Sequence, residues 1–186
     1  MSEEHLPGWT LGCTPDLHPP LQCAHLPVLK ATRALSLQER EDRLGQALGA
    51  LERDGVAIVA RSSVYETEPQ DVTNQPWFLN MAVQCRTRAL PLQLLNLLLR
   101  IEREIGRVRH AKLQRGPRPI DIDLLLFGNA VITLPQLTVP HPRMLQRRFV
   151  LEPLLEIAAN LRHPVTREPL QTYLAATLNQ QVRVKH

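Results

Sequence analysis

The stretch WFLNMAVQCRTRALPLQLLNLLLRIEREIG, residues 77–106, contains the two patterns on which the fold prediction depends. Residues 77–85 follow a proline-containing loop and are mostly apolar, which is typical of a strand. Residues 90–106 repeat leucine or isoleucine at positions 94, 98, 101 and 105 and stop at a glycine, which predicts an amphipathic helix. The chain is therefore expected to form a strand followed directly by a helix.

Patterns on both sides of this stretch complete a repeated order of strands and helices. The segments VAIVARSSVY (56–65) and IDIDLLLFG (120–128) predict two more strands, and the second is interpreted as a central strand. Leucines at helical spacing predict a helix over 37–54, and an extended segment is expected from about 28 to 36. The order strand, helix, strand, strand, helix, strand predicts an α+β fold with a ferredoxin-like βαββαβ core. In such a core, helices cover one face of an antiparallel sheet and leave the other face open to a ligand.

The N-terminal arm is expected to be poorly ordered, whereas the rest of the chain is expected to fold. Residues 1–27 contain five prolines, which disfavour regular helix and strand, so they are predicted to form a poorly ordered arm. Residues 28–186 are predicted to form a single domain, since 186 residues with 44% hydrophobic content suit one core. C-terminal additions follow the ferredoxin-like core: a short piece near 130–139, a helix over 149–158 and an amphipathic stretch near 168–179.

The composition limits the kind of ligand and the compartment. A net charge of +4 and an isoelectric point near 9.3 suit an anionic ligand without identifying it. Cys13, Cys23 and Cys85 are far apart and form no CxxC pair, so they predict neither a disulfide framework nor a zinc site. The first thirty residues contain neither a continuous apolar run nor a basic leader, and a cytoplasmic location is expected.

Two acids in the strand predicted over 120–128 suggest a metal site. Because side chains alternate along a strand, Asp121 and Asp123 point to the same face. Magnesium prefers oxygen ligands and is usually coordinated by one or two carboxylates together with the phosphates of a substrate. An isolated pair of this kind is more often two solvated acids, so the flanking sequence has to decide between the two interpretations.

The segment before that strand, GRVRHAKLQRGPR (106–118), is strongly basic. It contains five cations and no acid: Arg107, Arg109, Lys112, Arg115 and Arg118. Arginine forks match phosphate oxygens in two-point contacts, so a flexible cationic arm beside an acidic pair suits a magnesium-bound polyphosphate. A solvated basic loop is the alternative, although a Gly-Pro turn holds Arg118 only three residues from Asp121.

Further side chains are candidates for a ligand site. Phe78 and Asn80 alternate onto one face of their strand and could hold a flat polar ring, with Phe149 as a second aromatic wall. Either phenylalanine alone is more often a core residue. Glu102 lies beside the apolar stripe of its helix, where a carboxylate needs a partner such as an arginine of the basic segment. The alternative is that Glu102 lies only at the edge of the helix.

A second basic cluster surrounds His141 in the sequence. Its cations are Arg143, Arg147 and Arg148. A lone histidine is more often structural than functional. The sequence contains no P-loop, no GxGxxG and no Ser/His/Asp order, so a nucleotide would have to be held in another way.

Five ordered motifs resemble those of the hydroxymethyldihydropterin pyrophosphokinase family. They are SSVYETEP (62–69), QPWFLN (75–80), GRVR (106–109), GPRPIDIDLLLFG (116–128) and LTVPHPRMLQRRFVLEPLLEIA (137–158). The resemblance covers about residues 37–160 and implies a ferredoxin-like, pyrophosphokinase-like domain. It implies transfer of diphosphate from ATP to the hydroxymethyl group of 6-hydroxymethyl-7,8-dihydropterin, with release of AMP, in folate biosynthesis.

The resemblance also implies a role for each candidate residue. Asp121 and Asp123 would bridge two magnesium ions, and the pterin ring would stack between Phe78 and Phe149. The positions that match hydrogen-bonding contacts to the pterin are Thr67 and Asn80. The positions that match contacts to the triphosphate and the rest of the nucleotide are Arg107, Arg109, Arg118, Glu102, His141 and Arg147. The implied partners are ATP and the pterin, with neither nucleic acid nor membrane, and a contact with other folate-pathway enzymes is left open.

Two other functions remain to be distinguished from this one. Residues 30–42 lack the glycines and the asparagine of the family's first turn, so a degenerate homologue that binds pterin or nucleotide without catalysis is one alternative. A non-enzymatic RNA-binding α+β module is the other, since ferredoxin-like sheets with basic loops also bind RNA. Two carboxylates on the ligand face would repel RNA phosphates, which disfavours the RNA-binding module.

Overall fold

The computed structural model of the chain describes residues 25–31, 36–68, 77–106 and 120–185. Its helices and strands follow in the order β1 (His25–Ala31), α1 (Leu37–Arg53), β2 (Ala57–Arg61), β3 (Tyr65–Thr67), β4 (Phe78–Arg86), α2 (Pro91–Glu104), β5 (Ile120–Phe127), β6 (Ile132–Leu134), β7 (Leu137–Val139), α3 (Arg148–Ile157) and β8 (Val182–Val184). Two 3₁₀ segments, Met144–Gln146 and Leu170–Thr177, flank α3.

The main sheet has the connectivity of a ferredoxin-like core. Its strand order is β5-β1-β4-β3-β8, with β2 also paired to β4, and every pair is antiparallel. The predicted strand 56–65 is divided into β2 and β3 because the chain leaves the strand conformation at residues 62–64. With α1 and α2 as the two crossovers, the order is the βαββαβ of the ferredoxin-like fold. The predicted fold class is therefore confirmed.

Both long helices match the sequence patterns, but two predictions about strands are wrong. β1 begins at His25 instead of about residue 28 and ends at Ala31. Pro27 is tolerated within it because the ladder with β5 shifts register between Leu26 and Pro27, where the missing N–H costs little. β5 lies at the edge of the sheet and is not central. Its apolar run comes from burial on both faces, which produces the same pattern as a central position.

The sheet separates two apolar clusters. On one face, residues such as Leu29, Leu79 and Ile122 pack against α1 and α2. On the other face, residues such as Val28 and Leu125 pack against α3 and its flanking 3₁₀ segments. The second face is therefore only partly open, because the C-terminal additions cover one portion of it. The portion that remains accessible carries the predicted site.

Two other expectations concern the cysteines and the membrane. Cys85 is a buried free thiol, and burial raises its pKa to about 12, while Cys13 and Cys23 lie outside the described residues. Within the described ranges, none of the helices is long and apolar enough to cross a membrane. The prediction for the arm falls mostly on residues 1–24, outside the described part of the chain.

Candidate active site

The strand register places the candidate residues of the sheet in two adjacent rows. In the first row, Lys30 of β1 is paired with Asn80 on β4 and with Asp121 on β5. In the second row, Thr67 of β3 is paired with Phe78 on β4. Because alternate residues of a strand share a face, both rows lie on the face that α3 partly covers.

Asp121 and Asp123 lie on that same face and are both partly exposed, as the strand alternation predicted. Asp123 Oδ2 is 3.7 Å from Arg147 Nη1, at the start of α3. Burial and the neighbouring charge of Asp121 raise the pKa of Asp123, while His141, Arg147 and Lys30 oppose this shift. The pair therefore concentrates negative charge that a bound cation would neutralise.

An aromatic slot, formed by the rings of Phe78 and Phe149, lies beside the aspartates. Phe149 is 7% exposed and comes from α3, so the two rings belong to distant parts of the chain. The ammonium of Lys30 lies 4.0 Å from the ring centroid of Phe78 and 4.9 Å from that of Phe149. Both phenylalanines thus face one shared space that the Lys30 side chain enters.

Asn80 and Thr67 form a buried polar pair at the same slot. Their exposures are 0% and 2%, and Asn80 Nδ2 donates a hydrogen bond to Thr67 Oγ1 at 2.7 Å. Asn80 Oδ1 is buried and has no hydrogen-bond partner within the part of the chain that the structure describes. A buried acceptor of this kind costs free energy unless a donor reaches it, so it suits a ligand with an N–H at its edge.

Glu102 on α2 is almost completely buried, with 1% exposure. Its Oε1 accepts a hydrogen bond from the Ile122 N–H at 2.9 Å, on the outer edge of β5. The alternative in which Glu102 lies only at the helix edge is therefore wrong. Its expected arginine partner falls in residues 107–119, outside the described part of the chain.

His141 follows the β6–β7 hairpin and is fixed to β5 by its backbone. Its N–H donates to the Leu125 carbonyl at 2.9 Å, and its Nδ1 accepts from the Arg143 N–H at 3.2 Å. Burial lowers the pKa of His141 against the opposing charge of Asp123, and Arg147 and Arg143 lower it further. The imidazole is thus favoured in its neutral form with the proton on Nε2, which makes it a hydrogen-bond donor.

A groove of about 360 Å³ runs from the aspartates along the outer edge of β5. α2 supplies one wall, with Leu95, Leu99 and Glu102, and the β6–β7 hairpin supplies another. His141 and the two aspartates lie at its polar end. Its apolar walls and polar end suit a ligand with a flat base at one end and charged groups at the other.

The family described as 7,8-dihydro-6-hydroxymethylpterin-pyrophosphokinase (HPPK) matches residues 35–159. The 2-amino-4-hydroxy-6-hydroxymethyldihydropteridine pyrophosphokinase of Bacillus subtilis is 43% identical over 132 residues, which are 70% of this chain and 78% of that protein. The chain belongs to the HPPK family. The predicted family is thereby confirmed, and so is the enzyme class, a pyrophosphokinase.

HPPK relatives also occur as parts of longer proteins. The folic acid synthesis protein fol1 of Pneumocystis carinii is 37% identical over 145 residues, which are 76% of this chain but only 19% of that protein. A solved structure of HPPK-DHPS from Plasmodium falciparum has a TM-score of 0.65 at 15% identity and covers 85% of this chain and 44% of that one. At that identity the structural likeness shows the fold alone.

Within the described part of the chain, the fold brings together the residues expected from the HPPK resemblance. Those that meet around the slot and the aspartates are Thr67, Phe78, Asn80, Glu102, Asp121, Asp123, His141, Arg147 and Phe149. The basic segment, with Arg107, Arg109 and Arg118, lies outside the described residues, and its role stays a prediction. Sequence reasoning missed Lys30. The sequence did contain a sign of its role, because Lys30 is a lone cation in the apolar run PVLKA (27–31). Lys30 is two residues from Val28, so the two side chains point to the same face of the strand.

Proposed function

We propose that this chain transfers diphosphate from ATP to the hydroxymethyl group of 6-hydroxymethyl-7,8-dihydropterin and releases AMP. The observation that carries the proposal is the buried acceptor Asn80 Oδ1 at an aromatic slot, on the same sheet face as two aspartates across the intervening strand β1. A pterin is flat and has N–H donors at its edge, so it matches both the slot and the acceptor. Its hydroxymethyl group would then have to point toward the aspartates.

The pterin would be held by stacking and by hydrogen bonds. Phe78 and Phe149 would stack on its two faces, and such contacts add to the burial of apolar area. Asn80 would accept from a ring N–H, and the 2.7 Å bond to Thr67 would hold the Asn80 amide in the required orientation. Because Thr67, Asn80 and Phe149 are already buried in the structure, these three side chains would lose little rotamer entropy on binding.

The aspartate pair fits magnesium. Both residues offer hard oxygen donors on one face, both are partly exposed, and burial together with the charge of Asp121 raises the pKa of Asp123. No cluster of three or more acid, histidine or cysteine ligands occurs among the described residues, so phosphate oxygens would complete the coordination. Magnesium at these carboxylates, two ions in this proposal, would neutralise the charge that develops on the phosphates during transfer.

The nucleotide would occupy the groove beside β5. Its base would lie between α2 and the β6–β7 hairpin, and its phosphates would reach the polar end with the aspartates. There the neutral His141 could donate from Nε2, and Arg147 could balance negative charge. The hydroxymethyl oxygen would attack the β-phosphorus in line, and AMP would leave without a covalent enzyme intermediate.

The basic segment would complete the site. In the proposal, Arg107, Arg109 and Arg118 engage the triphosphate and exclude water when the segment closes. A contact with other folate-pathway enzymes and a cytoplasmic location stay predictions. The occurrence of HPPK within longer relatives such as fol1 makes the first of these worth testing.

The direct test is product formation. The purified chain is incubated with ATP, magnesium and 6-hydroxymethyl-7,8-dihydropterin, and AMP and the pterin diphosphate are separated by chromatography. We expect AMP and pterin diphosphate in equal amounts, and none when either the pterin or the magnesium is omitted. Ligand binding without AMP would favour the non-catalytic homologue, and RNA binding with a steep salt dependence would favour the RNA-binding module.

The aspartate assignment is tested by Asp121→Asn. Loss of this carboxylate removes charge at the proposed metal, so the rate should fall by at least about 100-fold while the fold is retained. Asp42→Asn is the matched control, because Asp42 is exposed on α1 against the opposite face of the sheet. An unchanged transfer rate in Asp121→Asn would reject the metal role of the pair.

A further inference from the structure

Lys30 is the unexpected residue of the site. Its ammonium lies between the rings of Phe78 and Phe149, 4.0 Å and 4.9 Å from their centroids. A cation over the face of an aromatic ring is attracted by the ring quadrupole, and here a single cation has two rings. The ammonium thus lies where the proposed function needs the flat heterocycle to stack.

A ring and an ammonium cannot occupy the same slot. Lys30 must therefore leave the slot before the ring can enter, and its two cation–π contacts are lost when it leaves. The apparent affinity for the ring is then the affinity of the open slot multiplied by the fraction of molecules in which the slot is open. Wild-type affinity should accordingly be lower than the slot itself would permit.

The neighbouring strand offers the ammonium an alternative position. Lys30 is paired in register with Asp121, and its charge already acts on Asp123. The side chain is long and flexible, so the charge can move from the slot toward the aspartates and their phosphates without movement of β1. The same displacement would add a cation where the transferred group is negative.

We propose that Lys30 is a specificity-determining residue, whose ammonium occupies the aromatic slot and moves toward the aspartate pair when a flat heterocycle enters. The inference rests on the proposed function, since it takes the slot as the pterin site. In this role Lys30 lowers the affinity for the pterin, whereas a residue that only contacts the ligand would raise it. A ligand too small to displace the ammonium would be rejected by the slot.

The test measures pterin binding by fluorescence titration in the wild type and in three variants. Lys30→Ala removes the side chain beyond Cβ, so nothing from this position reaches the slot. Phe78→Ala removes one wall of the slot. Arg88→Ala is the matched control, because it also truncates a cationic side chain, at an exposed position near the opposite end of β4. Each protein is titrated with 6-hydroxymethylpterin, without nucleotide and with magnesium and α,β-methylene ATP.

We expect Lys30→Ala to bind the pterin without nucleotide at least about tenfold more tightly than the wild type, equivalent to about 1.4 kcal/mol. Arg88→Ala should equal the wild type, and Phe78→Ala should bind more weakly. Equal or weaker binding by Lys30→Ala, with wild-type binding intact, would overturn the role proposed for Lys30 and leave the proposed function standing. Failure of the wild type to bind the pterin under both conditions would overturn both.

A second measurement uses only the wild-type chain, so it does not depend on the folding of a variant. Protons on the Lys30 side chain near two aromatic faces should resonate well upfield of those of Lys185, which lies outside the slot beside Glu41. Saturating pterin should abolish this upfield shift. Persistence of the shift in the pterin complex would show that the ammonium stays between the rings and would overturn the inference.

Discussion

The Oε1 of Glu102 accepts a hydrogen bond from the Ile122 N–H, on the side of β5 where the described residues provide no neighbouring strand. Further along β5, the Leu125 carbonyl accepts a hydrogen bond from the His141 N–H at 2.9 Å. An edge strand presents backbone groups that would otherwise need water or another strand. A helix side chain and a loop backbone thus satisfy them, and the same residues line the groove.

This arrangement predicts how Glu102 contributes to stability. Glu102→Leu would fill the space but leave the Ile122 N–H without its acceptor, so the free energy of unfolding should fall by about 1–3 kcal/mol. Glu102→Gln retains a side-chain oxygen acceptor and should lose less. Urea unfolding followed by circular dichroism gives both values. If the two variants were equally stable, the hydrogen bond to β5 would not be the source of the stabilisation.

At the scale of secondary structure, α1 begins with a capping box. The Glu39 N–H donates to Ser36 Oγ at 3.3 Å, and the Ser36 N–H donates to Glu39 Oε2 at 2.8 Å. These two bonds satisfy backbone donors that the first turn of a helix leaves unpaired. The apolar stripe of the helix, which includes Leu44 and Leu51, then packs on the sheet.

The capping box predicts a moderate and local effect of substitution. Ser36→Ala removes the acceptor for the Glu39 N–H, and the free energy of unfolding should fall by about 1 kcal/mol. Ser36→Thr keeps a hydroxyl at the N-cap and serves as the control, with a smaller change. Thermal unfolding of the two variants provides the comparison. If Ser36→Ala unfolded at the same midpoint temperature as the wild type, water would replace the Ser36 hydroxyl without loss of stability.

At the scale of the whole molecule, Glu156 connects α3 to the sheet. Its carboxylate accepts hydrogen bonds from the Ser63 N–H at 2.9 Å, the Ser63 hydroxyl at 2.8 Å and the Tyr65 hydroxyl at 2.8 Å. Burial acts to raise the pKa of Glu156, but these three hydrogen bonds together hold it below the ordinary value of 4.5. The C-terminal layer that carries Phe149 is thereby joined to the strand that carries Thr67.

The lowered pKa gives a pH dependence with a defined sign. A carboxylate whose pKa is lower in the folded state stabilises the fold above its unfolded pKa, and this contribution is lost as the pH falls through the folded pKa. The wild type should therefore lose more stability than Glu156→Gln as the pH falls below about 4.5. Urea unfolding across this range measures the difference. Parallel pH profiles for the two proteins would exclude Glu156 as the titrating group.

Periodicity predicted much of the fold and part of the site. Helical spacing placed α1 and α2 nearly to the residue, and strand alternation placed the two aspartates on one face of β5 and Phe78 with Asn80 on one face of β4. It did not predict the break between β2 and β3. There the Ser62 hydroxyl accepts from the Ala82 N–H at 3.0 Å in place of a backbone partner, which no local pattern reveals.

The sequence by itself determined the order of the strands and helices in the ferredoxin-like core, the alternation of side chains along β4 and β5 and, through five ordered motifs, the family. These properties depend on neighbours along the chain. Only the tertiary structure decided that β5 is an edge strand, that α3 covers part of the ligand face, that Glu102 meets the Ile122 N–H and that Lys30 enters the slot of Phe78 and Phe149. These contacts join residues far apart in sequence, and their partners are fixed by strand order and packing, which local periodicity does not encode.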